Sequence, residues 1–272
     1  MIELSGEQLK LLQNTELEIL IEIDRICTKN HIRYSLTGGT LLGAVRHGGF
    51  IPWDDDADIS MLRSEYRKFQ DACKKDLDTN RFYFQDIENT PGYRWGYGKV
   101  RRKNSIFLRE NQEKMPYDQG VFVDVFPRDA VPDNFFLRKL HTFLCFCVRK
   151  MMWSVIGRKV STCYLLRVWY ELLYFLTKDN ILEIYKKLVK ISNNERSKYV
   201  RALTFPLPNR QIGYRREWYH NYTRIKFDGY NFQVEANYKE WLENEFGDYM
   251  TLPPSEKRKI HPVTKIELPE GE

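Results

Sequence analysis

The sequence lacks the features of secreted, disulfide-stabilised and membrane-spanning proteins. Its five cysteines in 272 residues are odd in number and include no C-x-x-C pair, so neither a disulfide framework nor a structural zinc site is indicated. The first residues, MIELSGEQLK, have no basic segment and no apolar run, so we expect no cleaved secretory signal. No window offers the roughly 18 uncharged apolar residues that a membrane-spanning helix needs. These absences favour a cytoplasmic protein that does not cross a bilayer.

The composition excludes an intrinsically disordered chain. Hydrophobic residues make up 42% and aromatic residues 14% of the sequence, enough for one large core or two small ones. Lys and Arg number 43 against 37 Asp and Glu, for a formal net charge of +6. This excess suits an anionic substrate, a membrane surface or nucleic acid, and does not choose among them.

The first sixty residues predict a long helix followed by a compact unit of a strand, a glycine turn, a short helix and a second strand. Ser5 and Gln8 have the spacing of a capping box, and apolar residues at helical spacing predict a helix over residues 6–29. A short strand over 32–36 then ends at Gly38 and Gly39. A short helix over 40–45 and a second strand over 55–61 follow.

The rest of the chain predicts a mixed sheet, a helical region and a late hairpin. A helix over 63–77 precedes strand-like segments over 81–87, 94–101, 105–109 and 120–126. Asp228 and Gly229 indicate a hairpin turn, and Gly247 ends a helix over 236–246. We therefore predict an α/β (α+β) protein. Its core covers residues 1–130, a basic and aromatic α-helical region covers 131–200, and residues 201–272 return to the core.

Asp56 and Asp58 are the first candidates for chemistry. The two-residue period of a strand places both carboxylates on one face and Ala57 and Ile59 on the other. Mg²⁺ favours one or two carboxylates together with phosphate oxygens, so the pair predicts a phosphate-bearing substrate. A solvated acidic turn is the alternative, because an Asp-x-Asp pattern is common.

Two further features strengthen that interpretation. Gly38 and Gly39 open a helix, where free N–H groups and the helix dipole favour phosphate, although a double glycine is also an ordinary turn. Asp124 lies on a strand whose other face is β-branched, so it needs a partner, either a metal or a salt bridge to an Arg. Together these residues predict a two-metal phosphoryl-transfer site.

The stretch GGTLLGAVRHGGFIPWDDDADI, residues 38–59, closely resembles the signature of the LicD family of phosphocholine transferases, which are relatives of the fukutin proteins. The resemblance continues in YGKVRRKNSIF, VFVDVFPRD and the closing FDGYNFQVEANYKEWLENEFGDYMTLPP. It implies a nucleotidyltransferase-like mixed sheet flanked by helices. It also implies transfer of phosphocholine from CDP-choline to a hydroxyl of a surface-glycan precursor of the lipopolysaccharide or teichoic-acid type, which can be lipid-linked. CDP-ribitol and CDP-glycerol remain alternative donors.

The resemblance also implies roles for individual residues. Gly38 and Gly39, with Thr40 behind them, would bind the donor phosphates, while Asp56, Asp58 and Asp124 would be the catalytic metal ligands. The expected cofactor is Mg²⁺, as two ions, with Mn²⁺ as the alternative. Asp54 and Asp55 match the family pattern with less defined roles. Asp124 is the candidate for deprotonating the acceptor hydroxyl.

Other side chains are candidates for donor binding. Lys99 and Arg101 alternate along a strand and can meet the donor diphosphate, or they can serve only solubility. Aromatic faces for a quaternary ammonium are offered by Trp53, Tyr93, Trp95 and Tyr97, although core packing explains aromatic residues more often. His261 is expected to have no catalytic role.

Residues 135–170 contain seven basic and no acidic residues among many apolar ones. Helices of this kind lie readily on an anionic membrane, which would hold the protein on the inner face of the cytoplasmic membrane. A helical layer that packs on the sheet and exposes its basic face is the alternative.

Two other functions compete with phosphocholine transfer. A nucleotide-sugar glycosyltransferase also uses Asp-x-Asp, but it usually has several βα units before the acidic pair. A basic membrane-surface or nucleic-acid-binding protein without catalysis would also explain the net charge. The acidic cluster and the absence of a reading motif argue against nucleic acid.

Overall fold

The structure, a computed structural model, describes residues 4–207, 212–254, 256, 258 and 261–269. It confirms the mixed α/β class. The first helix, α1, covers Gly6–Lys29 and begins with the expected capping box between Ser5 and Gln8. Its buried face carries Leu12, Ile19 and Ile23 and packs against the strands of the central sheet.

The central sheet has the strand order β1-β2-β6-β4-β3, with β7 (Tyr199–Arg201) paired to the far end of β6 and β8 (Tyr214–Arg215) paired to β7. Strands β2 and β6 are parallel, and the pairs β1–β2, β6–β4 and β4–β3 are antiparallel. Their bounds are Ser35–Leu36 for β1, Ala57–Leu62 for β2, Phe82–Gln85 for β3, Gly98–Arg102 for β4 and Phe122–Val131 for β6. Each predicted strand therefore exists, but its ends differ from those expected.

Two of these differences have a clear cause in the pairing. The strand expected to end at residue 126 continues to Val131, because β7 (Tyr199–Arg201) pairs with residues 129–131 after β2 has ended. The strand expected over 94–101 begins only at Gly98, since residues 94–97 form a loop against the helical region.

Two helices lie between the first strands of the sheet: α2 covers Gly38–His47 and α3 covers Arg63–Asp76. Three more follow β6: α4 covers Phe135–Val160, α5 covers Tyr164–Thr177 and α6 covers Ile181–Ile191. Helix α2 is longer than the predicted 40–45 because it begins at Gly38 itself. Within the described residues, no helix has both the length and the apolar character needed to span a membrane.

The last third of the chain packs on the outside of this core. The bounds are Tyr214–Arg215 for β8, Tyr222–Phe227 for β9, Tyr230–Glu235 for β10, Tyr238–Phe246 for α7 and Val263–Glu267 for β11. The hairpin β9–β10 turns at Asp228 and Gly229, which have φ values of 43° and 88°, as its sequence predicted. Strand β11 pairs with β5, Ile106–Arg109, and so returns the end of the chain to the core.

Glu235 at the end of β10 is buried against Ser35 of β1. The Ser35 hydroxyl donates to Glu235 Oε2 and accepts from the Glu235 N–H over 3.2 Å. Burial raises the pKa of Glu235 from its ordinary 4.5 to about 8. The junction of β1 and β10 therefore holds a buried carboxyl whose surroundings favour its protonated form.

Candidate functional site

The glycine turn lies directly against the acidic segment. Thr37 is the extended residue before α2, and its N–H donates to the Asp58 carbonyl over 3.1 Å. The Asp58 N–H in turn donates to the Thr40 hydroxyl over 2.8 Å. These two bonds fix the start of α2 to the start of β2, so Thr40 positions Asp58. Its expected contact with donor phosphates stays a prediction.

The absence of side chains at the turn lets carboxylates approach. A Cβ atom at Gly39 would lie 2.6 Å from Asp54 Oδ2, and one at Gly38 would lie 3.3 Å from Asp58 Oδ2. Gly38 also has a φ of +59°, a conformation that glycine adopts without strain. The N-terminus of α2 therefore faces these carboxylates, and its dipole favours negative charge there.

Asp58, Asp124 and Lys99 form a row across three neighbouring strands. Asp58 is the partner of Asp124 in the parallel pair β2–β6, and Lys99 is its partner in the antiparallel pair β4–β6. Residues directly opposite on paired strands share a face of the sheet. The structure therefore brings together the carboxylates of β2 and β6 and the lysine of β4, which come from three separate sequence segments.

Lys99 and Asp124 are the most enclosed members of the row. Only 5% of Lys99 and 4% of Asp124 is exposed, and the ammonium forms a charged hydrogen bond with Asp124 Oδ1. Burial lowers the pKa of Lys99 to about 7, although Asp124 acts in the opposite direction. Asp124 thus has a salt bridge, as the alternative for this residue required, but with Lys99 instead of an arginine.

Asp55 and Asp56 precede β2 and are held by the end of the chain. His261 donates its N–H to Asp55 Oδ2 over 3.0 Å, and its Nδ1 lies 2.8 Å from Asp55 Oδ1. Arg109 Nη2 donates to Asp56 Oδ2 over 3.0 Å. The pairing of β11 with β5 brings both partners to this place. The hydrogen bond with Asp55 raises the pKa of His261, which the sequence had left outside the site.

The carboxylates concentrate negative charge beyond what these cations neutralise. Burial, together with Asp56 and Asp124, raises the pKa of Asp58 well above its ordinary value. Burial, together with Asp56 and Asp55, raises the pKa of Asp54 to about 8. Asp58 Oδ1 is buried and has no hydrogen-bond partner among the described residues. A site of this kind suits a hard cation with oxygen ligands.

Glu16 of α1 adds a carboxylate that sequence reasoning missed. It is 2% exposed, and burial and then Asp56 and Asp54 raise its pKa. It lies on the same helical face as Leu12, Ile19 and Ile23. An acidic residue on the apolar face of an amphipathic helix was therefore the signal for it.

The ligand set that the structure brings closest differs from the predicted one. Among the described residues, the three side chains whose ligand atoms lie within 4.8 Å of one another are Asp55, Asp56 and His261. Both oxygens of Asp55 already interact with His261, whereas Asp58 Oδ1 is unpaired. Of the predicted ligands Asp56, Asp58 and Asp124, the first is paired with Arg109 and the last with Lys99, so Asp58 is the one that keeps an unpaired oxygen within the described residues. That these three carboxylates bind metal stays a prediction.

The candidates for donor binding are dispersed. Arg101 donates to Gln85 Oε1 and to the Gly120 carbonyl, so its guanidinium is already engaged. Tyr97 lies beside the row, with its ring centroid 5.4 Å from Lys99 Nζ. Its ring also contacts Phe126 at 4.8 Å.

The other three aromatic candidates face elsewhere. Tyr93 is buried against Tyr117. Trp95 contacts Trp153 of α4, and Trp53 lies under Arg258. Of the four aromatic candidates, Tyr97 is the one that the structure places at the row.

Comparisons with known proteins agree with this geometry. The family model for the LicD/FKTN/FKRP nucleotidyltransferase domain matches residues 31–152, which include both glycines and all the carboxylates of β2 and β6. The lipopolysaccharide cholinephosphotransferase LicD of Haemophilus influenzae is 30% identical over 91% of this chain and 93% of its own length. The human ribitol 5-phosphate transferase FKRP is 60% identical over 30 residues, which is 11% of this chain and 6% of that protein. The chain therefore belongs to the LicD family.

Proposed function

We propose that this chain transfers phosphocholine from CDP-choline to a hydroxyl of a surface-glycan precursor. The observation that carries the proposal is the row of Asp58, Asp124 and Lys99 across three strands, directly beside the glycine turn. The name of the Haemophilus relative supports phosphocholine as the transferred group and lipopolysaccharide as the kind of acceptor.

The proposed cofactor is Mg²⁺, as two ions held by Asp56, Asp58 and Asp124, with Mn²⁺ as the alternative. The residues fit such a group, because Asp58 Oδ1 is buried without a partner among the described residues and the pKa of Asp58 is raised by neighbouring carboxylates. When bound, the cation would neutralise the charge of the donor diphosphate.

The residues of the site have distinct roles in the proposed transfer. The acceptor oxygen forms a bond to the phosphorus that carries choline, the bond from that phosphorus to the CMP oxygen breaks, and CMP leaves. The hydroxyl proton passes to Asp124, through the oxygen that does not accept from Lys99. Lys99 fixes that carboxylate, and the N-terminus of α2 favours the negative charge of the phosphoryl group.

Release of CMP tests the proposal directly. Purified protein is incubated with CDP-choline, Mg²⁺ and a panel of monosaccharide glycosides, and CMP is quantified by chromatography with and without EDTA. We expect release that requires both a divalent cation and an acceptor. Failure to release CMP from any CDP-linked alcohol with Mg²⁺ or Mn²⁺ would contradict the proposal. Release of UDP from a UDP-sugar would instead support the glycosyltransferase alternative.

A different CDP-linked alcohol is the second candidate donor. The short but high identity with the human ribitol 5-phosphate transferase covers 30 residues and favours CDP-ribitol as the first substitute. CDP-glycerol is the next. Direct competition of each with CDP-choline in the same assay distinguishes them.

The outer face of α4 and α5 supports peripheral contact with the inner face of the cytoplasmic membrane. Phe136 and Leu165 are both 77% exposed, and they belong to a larger exposed apolar group on these helices: Phe135, Leu137, Leu140, Phe143, Phe146, Leu166, Val168, Trp169, Leu172, Phe175 and Leu176. The opposite face of α4 packs inward through Cys145, Val148 and Met152. The packed layer expected as the alternative therefore also carries an outward apolar face, flanked by basic residues.

Sedimentation with liposomes tests this contact. We expect binding to phosphatidylglycerol vesicles and release at high salt, because surface charges are screened within about 8 Å at physiological ionic strength. The double variant Phe136→Ser/Leu165→Ser should lose binding, whereas Met250→Ser, at a residue 57% exposed elsewhere, should not. Equal recovery in the supernatant with and without anionic lipid would refute membrane contact.

A further inference from the structure

A small cavity of about 100 Å³ extends from the acidic site on the side of Asp58. Its walls come from the start of α2, from β6, from the segment after β7, from β8 and from α7. Pockets for drug-sized ligands measure roughly 300–1,000 Å³. The cavity therefore has room for a small head group but not for a nucleotide.

One end of the cavity suits an anion. Arg128 of β6 is 7% exposed, and its Nη2 donates to the Thr37 hydroxyl over 3.1 Å. Its Nε is buried and has no hydrogen-bond partner in the described parts of the chain, nor does the guanidinium form an ion pair with a carboxylate there. The N-terminus of α2, at Gly38, lines the same end. A guanidinium and free N–H groups together recognise a phosphoryl group.

The other end suits a cation with methyl groups. Glu245 of α7 is half-buried, and its Oε2 accepts a hydrogen bond from the Tyr214 hydroxyl over 2.8 Å. No Lys or Arg of the described residues lies within ion-pair distance of it; burial raises the pKa of Glu245, and Arg128 is the cation that lowers it. Phe205, which is 46% exposed, also lines the cavity, with its ring 5.1 Å from that of Phe126. A carboxylate and an exposed aromatic ring on the walls of one cavity attract a quaternary ammonium.

The two ends are joined in a fixed order. The Arg128 guanidinium lies 4.6 Å from the centroid of the Tyr214 ring, and the hydroxyl of that ring reaches Glu245. Arg128 is bonded to Thr37, whose N–H donates to the Asp58 carbonyl, whereas Glu245 is connected to Arg128 through Tyr214. This order matches a zwitterion whose phosphoryl group precedes its ammonium group.

We propose that the cavity binds the phosphocholine head of the donor, with Arg128 and the start of α2 at the phosphoryl group and Glu245 with Phe205 at the trimethylammonium group. The inference rests on the proposed function and adds the residues that would select choline over other head groups of the donor. An uncharged ribitol or glycerol head gains nothing from Glu245, whereas all these donors share the phosphoryl group and hence Arg128.

The variant Glu245→Gln tests the cationic end while leaving an oxygen to accept from Tyr214. We expect the KM for CDP-choline to rise about tenfold, equivalent to ~1.4 kcal/mol, with little change in kcat. The KM for CDP-glycerol should stay the same. Glu243→Gln, on the exposed side of the same helix, is the matched control and should change neither value. Phe205→Leu should raise the KM for CDP-choline several-fold by removing the ring.

Binding without chemistry separates this inference from the proposed function. Calorimetric titration with phosphocholine should show binding to the wild-type protein and about tenfold weaker binding to Glu245→Gln. Unchanged phosphocholine affinity and unchanged donor preference in both variants would overturn the head-group assignment and leave phosphocholine transfer standing. A wild-type protein that transfers no phosphocholine but binds it through Glu245 would overturn the proposed function alone.

Discussion

Replacing Asp58 by Asn separates catalysis from folding at the centre of the site. The change keeps the shape of the side chain and removes one negative charge from a group that also contains Asp54, Asp56 and Asp124. If this group holds the metal ions, lost charge stabilisation should amount to several kcal/mol in the transition state. We therefore expect transfer to fall at least a hundredfold.

The same substitution should stabilise the metal-free protein. The position of Asp58 Oδ1, which is unpartnered within the described residues, stays occupied by a polar atom in the variant, so the penalty for burying an unpaired polar atom is unchanged. The gain comes from the charge, because an uncharged side chain has no repulsion with Asp56 and Asp124. We expect the free energy of unfolding in EDTA at pH 7 to rise by about 1 kcal/mol, and the Tm by about 2 to 4 °C.

Both effects are measured on one preparation, by CMP release with Mg²⁺ and by urea unfolding in EDTA. Asp71→Asn is the matched control, since Asp71 lies on the exposed surface of α3 beside Lys74 and should change neither quantity by much. Retention of more than about a tenth of wild-type transfer would refute the metal assignment. A clear loss of stability in EDTA would show that other groups of the protein compensate the charge of Asp58.

Three further changes probe the supports of the site and the fold. Gly39→Ala places a methyl group 2.6 Å from Asp54 Oδ2 and should lower the unfolding free energy by about 1–3 kcal/mol in urea titrations, whereas Gly6→Ala, which meets nothing within 4 Å, should not. His261→Ala should lower CMP release about tenfold or more, with partial rescue in His261→Asn, whereas equal activity of all three proteins would leave this histidine no positioning role. The pKa of Glu235 is raised to about 8, so its contribution to the free energy of unfolding is complete below pH 4.5 and is lost as the pH rises to about 8. In the variant Glu235→Gln, the free energy of unfolding in urea should therefore differ less between pH 5 and pH 8 than in the wild-type protein.

The regular elements and the faces of their residues were predictable from the sequence. The alternation of Val121, Val123 and Val125 placed Asp124 on the opposite face, and the structure has those valines fully buried. Alternation within one strand carries no information about its neighbour, however. That Asp58 lies opposite Asp124, and Asp124 opposite Lys99, depends on strand order and register. Both are set by tertiary packing.

Contacts between distant segments were not predictable for the same reason. Asp55 and His261 are 206 residues apart and meet because β11 pairs with β5. The last strand is short, and its apolar pattern does not specify a partner. The sequence also could not choose among the aromatic candidates: Trp95 packs on α4, whereas Tyr97 lies beside Lys99.

The way the site is built gives a reason for this dependence on long-range contacts. Neighbouring carboxylates repel one another, so a local loop that carried all of them would not hold them together without compensation. In this chain the compensating cations come from other elements: Lys99 from β4, Arg109 from β5 and His261 from the residues just before β11. The site therefore depends on contacts among the sheet strands and the residues just before β11, and not on one local segment. Repulsion among the carboxylates lowers the stability of the folded protein. The cations that offset this repulsion come from distant segments and not from the segment around Asp58.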